Sequence, residues 1–193
     1  RVFLETQSYN LDAPGAQLNI GSSYSQRGDL DAAEAAYRQA LALDERFLPA
    51  LLNLADLYRA KGEDWRARPL LGKALKIEPE FADAHYAMGL LLVRQKRYQQ
   101  ALDHLRRAVE INPGDGRYVY VYAVALHSND RVEDALSTLR DGLELRPRDV
   151  QLLVTLAQFY AALGDNVAAR ETAQRALEIS PADRKSTRLN SSH

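Results

Sequence analysis

Cysteine is absent from the chain. That excludes disulfides, thiolate metal sites, c-type haem attachment and a cysteine nucleophile within it, and leaves the redox compartment open. Methionine and tryptophan occur once each. No apolar run approaches the roughly 18 residues of a spanning helix, and no secretory leader opens the chain. An excess of either charge is also lacking: 25 Lys and Arg stand against 26 Asp and Glu, a formal net charge of −1. Phosphate binding needs a basic excess, so nucleic acid is not expected as the main partner. A membrane-surface mode finds no support either. There is no Gly-rich phosphate loop and no Gly-x-Ser-x-Gly elbow. What the 193 residues do hold is 46% apolar side chains, enough to bury the core of one domain or two small ones.

Both ends read as incomplete. The first residue is Arg1, so the natural start is expected upstream. Residues Asp183–His193 have no helical period and one large apolar residue, Leu189. They match, residue for residue, the translation of a sequencing-adapter oligonucleotide. They are therefore expected to be disordered and to add nothing to the fold, with the natural chain running on past Ala182.

Between these ends the sequence repeats itself. Ala33, Ala67, Ala101, Ala135 and Ala169 stand 34 residues apart, and so do Gly21, Ala55, Gly89, Ala123 and Ala157. A third series is Ala40, Ala74, Ala108, Gly142 and Ala176. Pro79, Pro113, Pro147 and Pro181 close four of the five units, with Glu45 in the first. Inside a unit the spacing is helical: Ile20, Gly21 and Tyr24 share one face, and Ala33, Tyr37, Ala40 and Leu41 another. Between the two faces comes a turn marked by Gly28, Gly62 or Gly164, where glycine accepts the left-handed conformation that ends a helix. The spacing predicts ten helices, near 15–27, 30–43, 49–61, 64–77, 83–95, 98–111, 117–128, 132–145, 151–162 and 166–179. Small residues at the repeated positions let helices cross closely while larger neighbours fill the gaps. One such pair cannot bury its apolar face alone, so neighbouring pairs must stack.

This pattern resembles the tetratricopeptide repeat, with its 34-residue period and its Leu-Gly-x-x-Tyr, Ala-x-x-x-Phe and Pro signature. The second unit carries it best, in Leu51, Leu54, Ala55, Tyr58, Gly62, Ala67, Leu71, Ala74 and Pro79. Gln17, His85 and Gly142 depart from it. The resemblance implies an all-α fold, an α-solenoid of about five tandem helix-turn-helix repeats forming a right-handed superhelix. The domain would span 14–182, with repeats 14–47, 48–81, 82–115, 116–149 and 150–182. Residues 1–13 would be the end of an upstream element. A second resemblance is to the repeat arrays of bacterial multihaem cytochromes, through Phe3–Asn10 and Gly116–Ser128. It implies an accessory repeat domain in an electron-transfer protein whose haem region lies upstream.

The family resemblance also implies a concave, ligand-binding inner face, lined by the fifth, ninth and twelfth residues of each unit. The fifth are Leu18, Leu52, Tyr86, Tyr120 and Val154; the ninth are Ser22, Asp56, Leu90, Val124 and Gln158; the twelfth are Ser25, Arg59, Val93, His127 and Ala161. The middle is apolar and aromatic and the ends are polar. The ligand set expected is thus Tyr86, Leu90, Val93, Tyr120, Val124 and His127, rimmed by Asp56, Arg59 and Gln158. No Lys stands at these registers, so a carboxylate clamp for a peptide C-terminus is not expected. An amphipathic helix or peptide fits this face.

The function expected is a non-catalytic protein-interaction scaffold, with no cofactor and no metal. Its partner would be a protein or peptide, or an upstream domain of the same chain, and neither nucleic acid nor membrane. The compartment is cytoplasmic or periplasmic, the latter if the multihaem resemblance holds. The histidines lie at least 19 residues apart and fit no metal motif. His85 is expected to be packed and hydrogen-bonded, and His104 to lie on the surface. Tyr24, Tyr58, Tyr122 and Tyr160 are expected in the core, and Trp65 against the turn before it. Gly142, among alanine sisters, is expected to accept a methyl. An uncapped last helix is expected to expose Ala173, Ala176 and Leu177.

Overall fold

The computed structural model describes residues 13–179, and among them the chain forms ten α-helices and no strand. They are α1 Pro14–Gln26, α2 Leu30–Leu43, α3 Leu48–Ala60, α4 Asp64–Ile77, α5 Ala82–Arg94, α6 Tyr98–Ile111, α7 Gly116–His127, α8 Val132–Leu145, α9 Val150–Ala162 and α10 Asn166–Ile179. Each lies within one residue of the helix expected from the repeat. The segments 1–12 and 180–193, with the readings placed on them, lie outside the described residues.

Local chemistry sets the helix ends. Pro14 opens α1 and Pro49 sits in the first turn of α3, where a missing amide donor costs nothing. The Asp29, Asp149 and Asp165 carboxylates accept from the amides of Ala32, Leu152 and Ala168 at 3.1, 3.2 and 3.0 Å, satisfying free donors of α2, α9 and α10. The three turn glycines are left-handed, with φ of 82° at Gly28, 80° at Gly62 and 81° at Gly164. Lys96 and Asp130, at the same place in the third and fourth repeats, adopt φ of 59° without being glycine. The repeat thus imposes the turn on whatever residue occupies it, and Lys96 carries the strain.

The helices form two compact units, one running to Leu91 and the other starting at Leu92. In the first, α1 packs on α2 and α3 on α4, and α2 and α3 join the pairs. Leu51, Ala74 and Ala84 sit at its centre, with Leu41, Leu70 and Phe81 packed around them. In the second, α7 packs on α8 and α9 on α10, while α9 also contacts α7 and α8. Ala33, Ala55, Ala67, Ala101, Ala123 and Ala135 have no exposed surface. Gly21, Gly89 and Ala157 are also buried, and Ala169 is half-buried. At Gly21 a methyl would meet the Tyr37 ring at 2.5 Å, so that ring fills the space a side chain would need.

Five expectations fail. Tyr160 is half-buried rather than in the core, its hydroxyl accepting from Arg140 Nε at 3.0 Å. Tyr24 is 38% exposed, whereas its repeat equivalent Tyr58 is 3% exposed. Tyr58 is covered from the preceding helix by Glu34, and no described residue stands in that place before α1. Trp65 does not pack on its turn but is 77% exposed. It lies two residues before Ala67 in α4, roughly 200° around the helix from the buried stripe of Ala67, Leu71 and Ala74. Gly142 has no room for a methyl, which would meet the Val119 Cγ1 at 2.6 Å. Ala176 is 5% exposed rather than open.

Candidate functional site

The expected ligand residues divide between the two units. In the first, Asp56 and Arg59 on α3 form an ion pair at 2.8 Å. Half of the Asp56 side chain, 51%, still touches solvent. Yet the surrounding protein withdraws water and pushes its carboxyl above the ordinary value, with Asp83 of α5 adding repulsion and Arg59 offsetting part of the rise. Tyr86 and Leu90, on α5, are half-buried. Nearby on α1, the Ser22 hydroxyl receives bonds from Tyr37 of α2 and Asn53 of α3, both at 3.4 Å, so it ties three helices together.

In the second unit Tyr120, Val124 and His127 follow one another on α7 at spacings of four and three, forming one stripe. All three are half-buried, as is Val93 near the end of α5. On α9, in contact with α7, Val154 is 38% exposed and Gln158 is exposed. The His127 ring stacks on Phe159 of α9, centroids 4.1 Å apart and planes 18° apart. One face of that imidazole is thus occupied by packing, and the stacking holds α7 against α9. His85 lies elsewhere, with its Nε2 hydrogen-bonded to the Pro79 carbonyl at 3.0 Å.

Sequence reasoning missed one cluster. Glu34 of α2 accepts from Arg66 at 2.6 Å, Tyr58 at 3.0 Å and Lys61 at 3.2 Å, and pairs with Arg38 at 3.1 Å. The Arg66 guanidinium also lies 3.8 Å from the centre of the Tyr58 ring. Burial opposes ionisation of Glu34, but the bonds from Arg66, Tyr58 and Lys61 outweigh it and hold the carboxyl below its ordinary value. The partners come from positions with no common spacing, so no periodicity announces them. This cluster knits α2 to α3 and α4 and is structural.

Among the described residues, no group of His, Cys, Asp and Glu could hold a metal ion. No helix there is long and apolar enough to cross a membrane.

Paired helices, small residues at each crossing and a left-handed turn in each of five pairs already describe one repeat type. The profile of the tetratricopeptide repeat matches residues 24–91, 65–125, 92–153 and 126–188. The chain belongs to the tetratricopeptide-repeat family. No curated protein matches it. Among solved structures, that of MamA is 24% identical, covers 86% of this chain and 97% of its own, and superposes with a TM-score of 0.72. YrrB, described as a tetratricopeptide-repeat protein with an unusual peptide-binding site, is 27% identical, with 89% of each chain covered and a TM-score of 0.65. PilF of Pseudomonas aeruginosa is 22% identical, covering 86% of this chain and 76% of its own, with a TM-score of 0.77. Tetratricopeptide repeats are generally non-catalytic scaffolds that bind proteins or peptides.

Proposed function

We propose that this tetratricopeptide-repeat chain is a non-catalytic scaffold that binds a peptide or an amphipathic helix on the inner helices of its repeats. The observation that carries this reading is the α7 stripe of Tyr120, Val124 and His127 beside Val154 and Gln158 of α9. Apart from the polar Gln158 these side chains are apolar or aromatic, and none of the five is fully withdrawn from solvent. Half-buried aromatic rings supply contact area at low entropic cost, which is why they dominate binding hot spots. In the first unit Tyr86 and Leu90, with the Asp56–Arg59 pair, form a second set of the same character. The likeness to YrrB, a peptide binder, supports the same class of ligand.

Tyr86→Ala and Tyr120→Ala, singly and together, test this against an array of synthetic amphipathic peptides. The buried alanines and leucines are untouched, so helicity and cooperative unfolding should persist. The best-binding peptide should lose about 2 kcal/mol or more of affinity with the double variant. Unchanged affinity would reject the inner face, and unfolding would make the two rings core.

A further inference from the structure

We propose that the cleft between α6 and α8, with α7 at its floor, is a binding site for a small organic amine. Such a ligand combines a compact apolar body, a polar atom for the Tyr122 hydroxyl and a protonated amine for Asp141. The cleft is about 320 Å³, in the lower range of small-molecule pockets. It shares no residue with the inner-face stripe, because Val119 and Tyr122 occupy another face of α7 from Tyr120, Val124 and His127. Nor is it a face waiting for the next helix, since α9 is already seated on α7 and α8 and the cleft persists beside it.

Comparison with the other repeats shows why space opens here. Val109 stands where Leu41, Leu75, Leu143 and Leu177 stand, and Gly142 where the others hold alanine. Val119 replaces Gln17, Leu51, His85 and Leu153, all longer side chains. Three neighbours are thus one size smaller than the repeat prescribes. The cleft one repeat further on, between α8 and α10, is lined by Leu143 and Leu156, the equivalents of Val109 and Tyr122. Pro113, Val119, Gly142 and Leu145 line the first cleft, but their counterparts Pro147, Leu153, Ala176 and Ile179 do not line the second. A leucine in place of Val109 fills that depth, and valine leaves it open.

The polar groups select the ligand. Tyr122 stands where Ile20, Leu54, Met88 and Leu156 stand, so packing at this register does not ask for a hydroxyl. The residue is 9% exposed, and its hydroxyl makes no hydrogen bond among the described residues. Burial pushes the phenol above its ordinary value, so it keeps its proton as a donor, while charges on both walls, Arg106 and Glu110 on one side and Arg131 and Asp134 on the other, place it between α6 and α8. On the α6 wall Glu110 is already neutralised by Arg106 at 2.8 Å and Arg107 at 3.1 Å. On the α8 wall Asp141 receives only a 3.5 Å contact from Ser137 and forms no ion pair among the described residues. Thr138, one turn away on the same edge, donates its hydroxyl to the Asp134 carbonyl at 2.8 Å and keeps lone pairs to accept. An ammonium group therefore fits the α8 wall. The flanking residues Asp103, Ser137, Arg140 and Glu144 are exposed and polar. They add no apolar area of the size a protein interface needs, which favours a small molecule.

The probe is tyramine, which carries a phenol, a ring and an ammonium, and the target is the full chain. Ligand-observed NMR titration should show saturable binding. Phenethylamine lacks the hydroxyl and 4-hydroxyphenylacetate exchanges the amine for a carboxylate; each should bind about fivefold more weakly or worse. Tyr122→Phe should weaken tyramine by about fivefold and leave phenethylamine unchanged. Asp141→Asn should weaken both amines by about fivefold, with loss of salt dependence. Val109→Leu installs the residue of the other four repeats and should abolish saturation; Tyr122→Phe gives the answer should that variant fail to fold. Any of five results would overturn the proposal. These are no saturable binding of tyramine, binding unchanged by Val109→Leu, 4-hydroxyphenylacetate binding as well as tyramine, loss with Tyr120→Ala but not with Tyr122→Phe, and tighter binding of a Tyr-Gly-Gly peptide amide than of tyramine. The fourth would place the amine on the inner face, and the fifth would make the occupant a polypeptide N-terminus.

Discussion

Gly142→Ala pits two physical effects of similar size against each other. In a helix interior Ala is favoured over Gly by about 0.8–1.0 kcal/mol, and Ala40, Ala74, Ala108 and Ala176 hold the same place in the other repeats. On that ground alone the substitution stabilises. In the fold, a methyl at 142 would lie 2.6 Å from Val119 Cγ1 and 3.3 Å from Leu152 Cδ1. Val119 is 1% exposed and Leu152 fully buried, so neither can swing into solvent. The residues at the register of Val119 in the other four repeats are Gln17, Leu51, His85 and Leu153, none branched at Cβ. Valine is, and it puts a methyl close to its backbone with one strongly preferred rotamer in a helix. Overpacking of this kind costs about 1–3 kcal/mol. Subtracting the helix gain leaves Gly142→Ala neutral to destabilising, by about 0–2 kcal/mol. Urea titration followed by far-ultraviolet circular dichroism reads this as a lower midpoint at unchanged slope. A second variant isolates the clash: Val119→Ala together with Gly142→Ala should be less destabilised than the sum of the two by about 1 kcal/mol. Stabilisation by Gly142→Ala alone, or strict additivity of the pair, would refute the reasoning.

Lys96→Gly should stabilise by about 0.5–1 kcal/mol, since it relieves a left-handed lysine, and Gly62→Ala should cost about 1 kcal/mol; thermal melts of both would compare them. Ala101→Leu forces a large side chain into a position with no exposed surface and should cost about 1–3 kcal/mol in denaturant. Glu34→Gln removes the acceptor shared by Arg66, Tyr58 and Lys61 and should cost about 1–2 kcal/mol at neutral pH. Glu34's folded carboxyl titrates below its ordinary value of 4.5, so the stability it contributes is complete above that value and is lost as pH falls through the folded one. The gap between wild type and Glu34→Gln should therefore close on acidification below about 4.5; a gap constant with pH would mean that the charge of Glu34 does not matter.

The helices were legible because their limits are written locally. Prolines after α4, α6 and α8, aspartates at the helix starts and glycines at three turns act within a few residues, and a 34-residue period confirms each from the others. Properties that depend on a neighbour in space were not legible. Tyr24 and Tyr58 share a register, yet one is open and the other covered, because the cover is Glu34 on another helix. Trp65 was misplaced by weighing its apolar ring above its register, which in the other repeats holds Asp31, Gln99, Glu133 and Val167. Gly142 failed for a related reason: the repeat predicts its backbone but not that Val119 faces it. The inner-face residues follow from register alone, but the stacking of His127 on Phe159 requires knowing how α7 meets α9.

That division bears on how such a chain can acquire a ligand. The residues that hold the helices together are small and repeat with the period: Ala33, Ala67, Ala101 and Ala135 have no exposed surface at all. The inner-face registers hold Ser22, Asp56, Leu90, Val124 and Gln158 at one position, a range no packing requirement would permit. On the proposed reading, stability and recognition rest on different residues of the same helices. A substitution at Tyr120 or Gln158 leaves the crossing alanines in place, so it can change what is bound at little cost to the fold. Ala173 breaks this separation, for it occupies a packing register that is leucine in three other repeats. Alanine there is half-buried and gives up contact area that the leucines of the other repeats bury.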